Sequence, residues 1–568
     1  MGDLLVRGGE LVDGLGAPAR KADVRITNGR ISEISAVGHE LASRGEPELD
    51  ATGAIVAPGF IDAHTHYDPA LFWDPGCDPL PVHGVTTVVT GNCSLSLAPL
   101  KREHQALLSD MFCFIEDIPV SAFEAGVPFD WESWGEYRRS FDVRGAAVQV
   151  APLVGHSALR LHAIGEASIE RASTPQERAA IAACFADCLR DGAFGISTSF
   201  IDVDRQGRPV PSRAGDDAEF RALAHVMREA GRGVVEFVPR FPKPETHLAD
   251  IERIHEMCRT AGVPGTWTQL TSGGPNASFI SELIAQAERT QAEGPGVFPQ
   301  VSPRPFDIVV SFKQTALFIF IESWNKWIGA DTDLRRALLG DPAWRARARA
   351  DWDAAEFSLF PIDDLERVRI TLVRDPKLER FVGASFADVV KARGGHPSDV
   401  LADWVAENQL DPGMGILAIA NGDAAETAPL LLSAATICGA SDAGAHVGMM
   451  CGAGDSTLLF ERHVKQRSDM SVETAVRLLT SDVARLFGIH DRGRLAVGYA
   501  GDVVVFALDE LHYEKDIVVQ DLPDRSTRLS RPPGGFRATV AGGVPTQLAG
   551  RPTGARPGRM LDPNARPV

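Results

Sequence analysis

The chain of 568 residues has no run of 18 or more apolar residues, the length a helix needs to cross a bilayer. Its best apolar stretch, Thr315 to Ile321, is far too short, which excludes a helical membrane span. Positive charge is also in deficit, with 57 Lys+Arg against 76 Asp+Glu and a net charge of −19. Nucleic acid and anionic membranes both require a basic surface, so neither is expected as the main partner. The first residues, Met1 to Val6, lack a basic start and a cleavable apolar core, and Val6 stands where myristoylation needs Ser or Thr. Eight cysteines are scattered without a CxxC pair. Cys184 and Cys188, four apart, read as packed thiols, and the set fits a reduced, cytoplasmic setting. With 44% apolar residues, a mainly disordered chain is excluded.

What is present is a rhythm of short strands and helices. Asp23 to Thr27 alternates, Asn28-Gly29 is a hairpin dipeptide, and Arg30 to Ile34 begins another strand. Near the other end, Val503 to Phe506 and Phe536 to Val540 read as strands, and the Pro/Gly/Arg-rich segment after about 545 as a poorly ordered tail. Between them lie eight apolar runs: Ala54 to Ile61, Thr86 to Thr90, Ala147 to Val154, Ala193 to Ser199, Gly233 to Val238, Gly265 to Leu270, Val297 to Val301 and Ala435 to Ala440. Most are followed by amphipathic helices, such as Pro175 to Arg190, Asp217 to Ala230 and His247 to Thr260. This alternation predicts an α/β fold, a parallel (β/α)8 TIM-like barrel with active residues at the C-terminal strand ends. The segment 305–410 is too long and too rich in tryptophan for one β/α unit, so it reads as a helical insertion, either a lid or packing material. Val472 to Phe487 reads as a helix packing the barrel against the terminal strands.

Three strand ends carry chemistry. In Phe60-Ile61-Asp62-Ala63-His64-Thr65-His66 an apolar strand runs into two histidines. Side chains at i and i+2 of a strand point the same way, so both imidazoles face one spot, an arrangement suited to a divalent metal. A bare HxH would otherwise be two hydrogen-bonded surface histidines. Thr86 to Thr90 leads to Cys93, a zinc ligand as thiolate or else a small core residue. Ala435 to Ala440 leads to Asp442, which could bind metal and accept a proton, or cap a helix. His446 either reaches the same cleft or stays at its rim.

These motifs, together with Gly155-His156-Ser157-Ala158-Leu159-Arg160, resemble the metal-dependent amidohydrolase superfamily, and more closely its D-aminoacylase-like branch. The resemblance covers nearly the whole chain. It implies a small β-sandwich made from residues 1–57 and 484–548, a barrel over 58–483 and an irregular tail over 549–568. It also implies hydrolysis of a C–N bond, typically in an N-acyl amino acid. A zinc ion, one per chain rather than two, would lower the pKa of water from 15.7 towards about 7. Asp442 would carry the proton, Cys93 would be a metal ligand, and His156 and Arg160 would act on a polar or carboxylated substrate, Arg160 alternatively holding a structural network. The family also needs histidines at the ends of the fifth and sixth strands, and this chain has Glu236 and Gln269 there instead. Glu236 either replaces a ligand or pairs with Arg240; Gln269 reads as a substrate-facing hydrogen-bond group. His247 looks like part of a helix start.

The expected partner is therefore a small-molecule amide, with a homo-oligomer possible. Two other readings stay open. One is a catalytically silent relative acting as a binding or oligomeric scaffold; the other is a hydrolase of a cyclic amide, ester or carbamate.

Overall fold

The computed structural model describes residues 2–310, 312 and 317–568; the start of the Thr315 to Ile321 run lies outside them. Both chain ends contribute to one nine-stranded sheet. Leu4–Leu11, Arg20–Thr27, Arg30–Ile34, Glu48–Asp50 and Ile55–Pro58 join Val503–Phe506, Ala538–Ala541, Val544–Leu548 and Arg551–Pro552. The hairpin turns at Asn28 and Gly29, where φ is 51° and 76°. Positive φ at both central residues matches the right-handed twist of the flanking strands, which explains the Asn-Gly pair. The seam between the two chain ends is the antiparallel pairing of Ile55–Pro58 with Val503–Phe506, over a core that includes Val6, Val24, Val56 and Val505.

The expected strand from Ala54 to Ile61 is two strands. Ile55–Pro58 belongs to the terminal sheet, and Phe60–Asp62 starts a parallel one. Gly59 is the break, and a Cβ there would lie 2.1 Å from Thr86 Oγ1. Only glycine lets the two chains approach this closely.

The parallel strands are short, buried and rich in Val and Ile, as expected where both faces are covered. Phe60–Asp62, Val85–Thr90 and Gln149–Pro152 form one sheet. Val154–Gly155, Ile196–Ser199, Val235–Val238, Gly265–Trp267, Val297–Val301 and Ile437–Cys438 form a second. Leu153 alone separates the two sheets along the chain, and its N–H donates to Thr90 O at 2.8 Å. At their other edges Asp442 N donates to His64 O (3.1 Å) and His66 N to Ala443 O (2.8 Å).

The helices between them follow the sequence signals. Thr174 and Glu177 make a reciprocal capping box for Pro175–Arg190. Asp216 caps Asp217–Ala230, which ends on the left-handed Gly231. The helix expected from His247 begins at Pro244, placing His247 inside its first turn. The helix expected over Val472 to Phe487 is interrupted at Thr480, leaving Val472–Leu478 and Ser481–Phe487. Leu479 O accepts from Ile61 N and Gly14 O from Ser481 Oγ, so this pair touches both the parallel strands and the terminal segment.

The segment read as an insertion carries its own hydrophobic core, which includes Trp324, Trp327, Trp344, Trp352 and Trp404. It holds the expected helices and also a three-stranded antiparallel sheet, Ile308–Val310, Gly413–Ile416 and Val368–Leu372, that extends past residue 410. The chain end is irregular but packed: Met560 and Leu561 are buried, and Leu561 N donates to Val150 O.

Candidate metal centre and active site

His64 and His66 project from the end of the first parallel strand, both buried, with ring centroids 5.3 Å apart. Cys93 follows the second strand, its Sγ 3.3 Å from His64 Nε2. Asp442 follows Ile437–Cys438, its Oδ1 3.4 Å from His66 Nε2 and 4.0 Å from His64 Nε2. His446 Nε2 is 3.6 Å from Asp442 Oδ2. Glu236, fully buried on the strand Val235–Val238, holds Oε1 3.9 Å from His64 Nδ1, and its Oε2 accepts from Cys93 N at 2.8 Å. The alternative partner for Glu236 is engaged elsewhere, since Arg240 forks onto Asp250.

Several of these residues sit in sparsely populated backbone conformations. φ is +53° at Cys93, +71° at Ser94, +60° at Asp442 and +49° at His446. Left-handed conformations at non-glycine residues cost on the order of 1 kcal/mol or more each and concentrate at functional sites. Asp442 is held from behind: Arg304 Nη2 donates to Ser441 O (2.9 Å), and Ser441 Oγ donates to both oxygens of Asp62 (2.8 Å each).

Electrostatically the cluster is short of cations. Burial lowers His64 to about 4 and His66 to about 3, so both rings are neutral and have lone pairs to offer. Burial pushes Glu236 up to about 8 and raises Glu116 well above the usual carboxylate range. Burial, then the Glu236 charge, raises the Cys93 thiol. Burial also works against Asp442, but His446, His66, His64 and Arg304 outweigh it and hold the carboxyl low.

These residues fit a divalent cation. His64, His66 and Cys93 present one donor atom each within 4.8 Å of one another, and so do His66, Glu116 and Asp442. His64 Nδ1, His66 Nδ1 and Glu236 Oε1 are buried without a hydrogen bond, an arrangement that polar groups adopt at a cost unless a ligand satisfies them.

The cluster opens into a cavity of about 260 Å³, which Gln269, His446 and His247 also line. His247 has both ring nitrogens unpartnered and packs edge-on against Trp267. Phe306, Ile308, Leu317 and Leu359 of the insertion supply part of the wall.

His156 and Arg160 are not brought to this cavity. Both are fully buried around Glu219, with His156 Nε2 2.7 Å from one carboxylate oxygen and Arg160 Nη1 2.6 Å from each. Arg160 Nη2 donates to the carbonyls of Ser168 and Arg171. Neither side chain lines the cavity and both are fully buried, so the expected catalytic role of His156 and binding role of Arg160 give way to a buried network around Glu219.

Sequence reasoning missed Glu116, whose Oε1 lies 3.3 Å from His66 Nδ1, and Gln300, fully buried with both amide atoms unpartnered. Glu116 had one available signal, a carboxylate directly after the apolar run Met111 to Ile115.

A strand-borne histidine pair, a cysteine and an aspartate lie close together beside the cavity, a donor set suited to a divalent metal. The comparison with known proteins gives the family. Residues 48–331 and 380–547 match the model of the amidohydrolase family, and the chain belongs to it, in its D-aminoacylase-like branch. It is a hydrolase acting on carbon–nitrogen bonds other than peptide bonds. It is similar to the N-acyl-D-glutamate deacylase of Alcaligenes xylosoxydans xylosoxydans, 28% identical over 89% of this chain and 88% of that one. Its fold is shared with D-aminoacylase (TM-score 0.65, 24% identity, 99% of this chain and 100% of that one). It is shared equally with the N-acyl-D-glutamate deacylase of Bordetella bronchiseptica, solved with zinc and a phosphonate mimic of the tetrahedral intermediate (TM-score 0.66, 24% identity, 99% of each chain).

Proposed function

We propose that the chain hydrolyses the amide of an N-acyl amino acid or a related small molecule, using one zinc ion per chain. In this reading the two parallel sheets are one (β/α)8 barrel, the terminal sheet is the family's sandwich portion, and the site lies at the C-terminal strand ends. The observation that carries it is the convergence of His64, His66, Cys93 and Asp442 at the floor of a cavity. His64, His66 and Cys93 would hold the ion, with Asp442 beside it and Glu236 standing where relatives of the family use a histidine. The ion supplies Lewis acidity, lowering the pKa of a water and polarising the amide carbonyl. Asp442, whose carboxyl is held low despite its burial, takes the proton of the attacking water and delivers it to the departing amine nitrogen. His446 lies 3.6 Å from Asp442, close enough to orient the carboxylate during that transfer. Gln269 faces the cavity as a hydrogen-bond group for the amide.

Metal content by elemental mass spectrometry tests this, on protein purified without chelator. About one ion per chain is expected, lost together with amide turnover in His64→Ala/His66→Ala. Absence of bound metal after incubation with zinc, manganese or iron would overturn the proposal and leave a binding or scaffold protein.

A further inference from the structure

An N-acyl amino acid places its α-carboxylate carbon about 2.5 Å from the scissile nitrogen, two bonds away. That charge must therefore enter the same 260 Å³ cavity as the reacting amide. The walls there are largely apolar, with Ile201, Val238, Phe306, Leu359, Ile419 and Met449, beside the neutral polar Thr268, Gln269, Thr271 and Asn276. Among the described residues no lysine or arginine lines the cavity. Its acidic neighbours are Glu116, Asp202 and Asp442 in the lining and Glu236 buried at the cluster beneath; burial raises Glu116, Asp202 and Glu236, and Asp442 alone is held low. A substrate carboxylate would lose its hydration here with no lysine or arginine among the described lining residues to pair with it.

Cations do occur one chamber further out. A neighbouring cavity of about 490 Å³ shares Ile201, Phe241 and Ile319 with the first and is lined by Arg213, Arg240 and Lys243. Arg240 is forked onto Asp250 and Lys243 is 2.6 Å from Glu356. Arg213 donates to the Ile201 and Asp202 carbonyls. These groups line the second cavity and not the first.

We propose that the substrate is an apolar amide with no carboxylate beside the scissile nitrogen, such as a carboxyl-blocked amino acid or a simple amine amide, because the described lining of the cavity is largely apolar and includes no lysine or arginine. This deepens the proposed function and rests on it for the identity of the reacting bond.

The test compares N-acetylphenylalanine with its carboxamide, each enantiomer, on the metal-loaded full-length chain. Binding is read by calorimetry in Asp442→Asn, in which turnover is slowed by about 10²–10⁴-fold. That variant removes a negative charge, so it biases the comparison towards the acid and against the proposal. Carboxamide binding at least tenfold tighter is the expected result. Equal or tighter binding of the acid, or binding of neither, overturns it. An acid preference abolished by Arg213→Met would place the carboxylate at the outer chamber, and one abolished by Lys313→Met would supply it with a cation from outside the described residues; both count against the proposal. Turnover by the wild-type chain is scored separately. If it hydrolyses neither compound while binding the carboxamide preferentially, the hydrolytic reading fails and the preference stands.

Discussion

Replacing Arg160 with methionine removes a guanidinium that is fully buried, and with it two bonds to Glu219 and two to the carbonyls of Ser168 and Arg171. Burial keeps His156 neutral despite its Glu219 partner. Its Nε2–H donates to Glu219 and its Nδ1 accepts from the Thr198 hydroxyl. Arg160 is thus the one full charge balancing Glu219. Breaking a buried ion pair from one side costs about 3–5 kcal/mol, because the other charge is left uncompensated. A chain this long has an unfolding entropy on the order of 1 kcal/mol/K, so Tm should fall by about 3–5 °C, readable by scanning calorimetry at pH 7. The pH dependence has a definite sign. Burial would raise Glu219, but the His156 and Arg160 contacts hold it at about 2, below the ordinary value of about 4.3. The stabilisation is therefore complete above pH about 4.3 and is lost as pH falls towards 2, so the gap between wild type and variant narrows on acidification. Well below Tm, the variant's KM should stay within about threefold of wild type. An unchanged Tm with a KM raised tenfold would refute the reasoning and return Arg160 to the substrate.

Four further outcomes are expected. Asp442→Asn should lower kcat by about 10²–10⁴-fold with an unchanged circular dichroism spectrum, whereas near-normal turnover would remove Asp442 as the proton carrier. Glu236→Gln should reduce bound metal, measured as ions per chain; unchanged stoichiometry would make Glu236 a support for the Cys93 backbone only. Chelation of metal-loaded protein should lower Tm, since an ion that binds only the folded state stabilises it, and an unmoved Tm would argue against an ion at this cluster. Gly59→Ala should destabilise the chain by about 1–3 kcal/mol through overpacking against Thr86, with part of the loss recovered by adding Thr86→Ala; no effect in chemical denaturation would mean the two strands can move apart.

The histidine pair was legible because strand alternation is a local rule: two residues apart means the same face. Cys93 and Asp442 were legible as polar residues that end apolar runs. The role of Arg160 was not, because its partner Glu219 lies 59 residues further on, on a helix whose inward face is set by packing. His156 was misread for the same reason. Glu116 was missed because it follows a helix rather than a strand, and the turn that brings it to His66 leaves no mark in the spacing. The left-handed backbone at Cys93, Asp442 and His446 was equally hidden, since none is a residue type that advertises positive φ as glycine does. The split at Gly59 was written in Pro58-Gly59, but an apolar run reads as one strand until its neighbours are known. Gln269 and His247 reach the cavity through helix and loop positions that the strand pattern alone does not fix.

The seam between Ile55–Pro58 and Val503–Phe506 also sets a clock. On a ribosome adding about 5–20 residues per second, the first of these strands waits roughly 20–90 s for the second to be made. Throughout that interval a short, apolar edge has backbone groups waiting for a partner, the condition in which strands pair wrongly. Parallel strands emerging meanwhile can pack, but the terminal sheet can knit only once nearly nine-tenths of the chain exists. Expression yield should therefore respond more to temperature and chaperone supply than to changes at the metal site, and a chain truncated just before Val503 should leave its first fifty residues without a home.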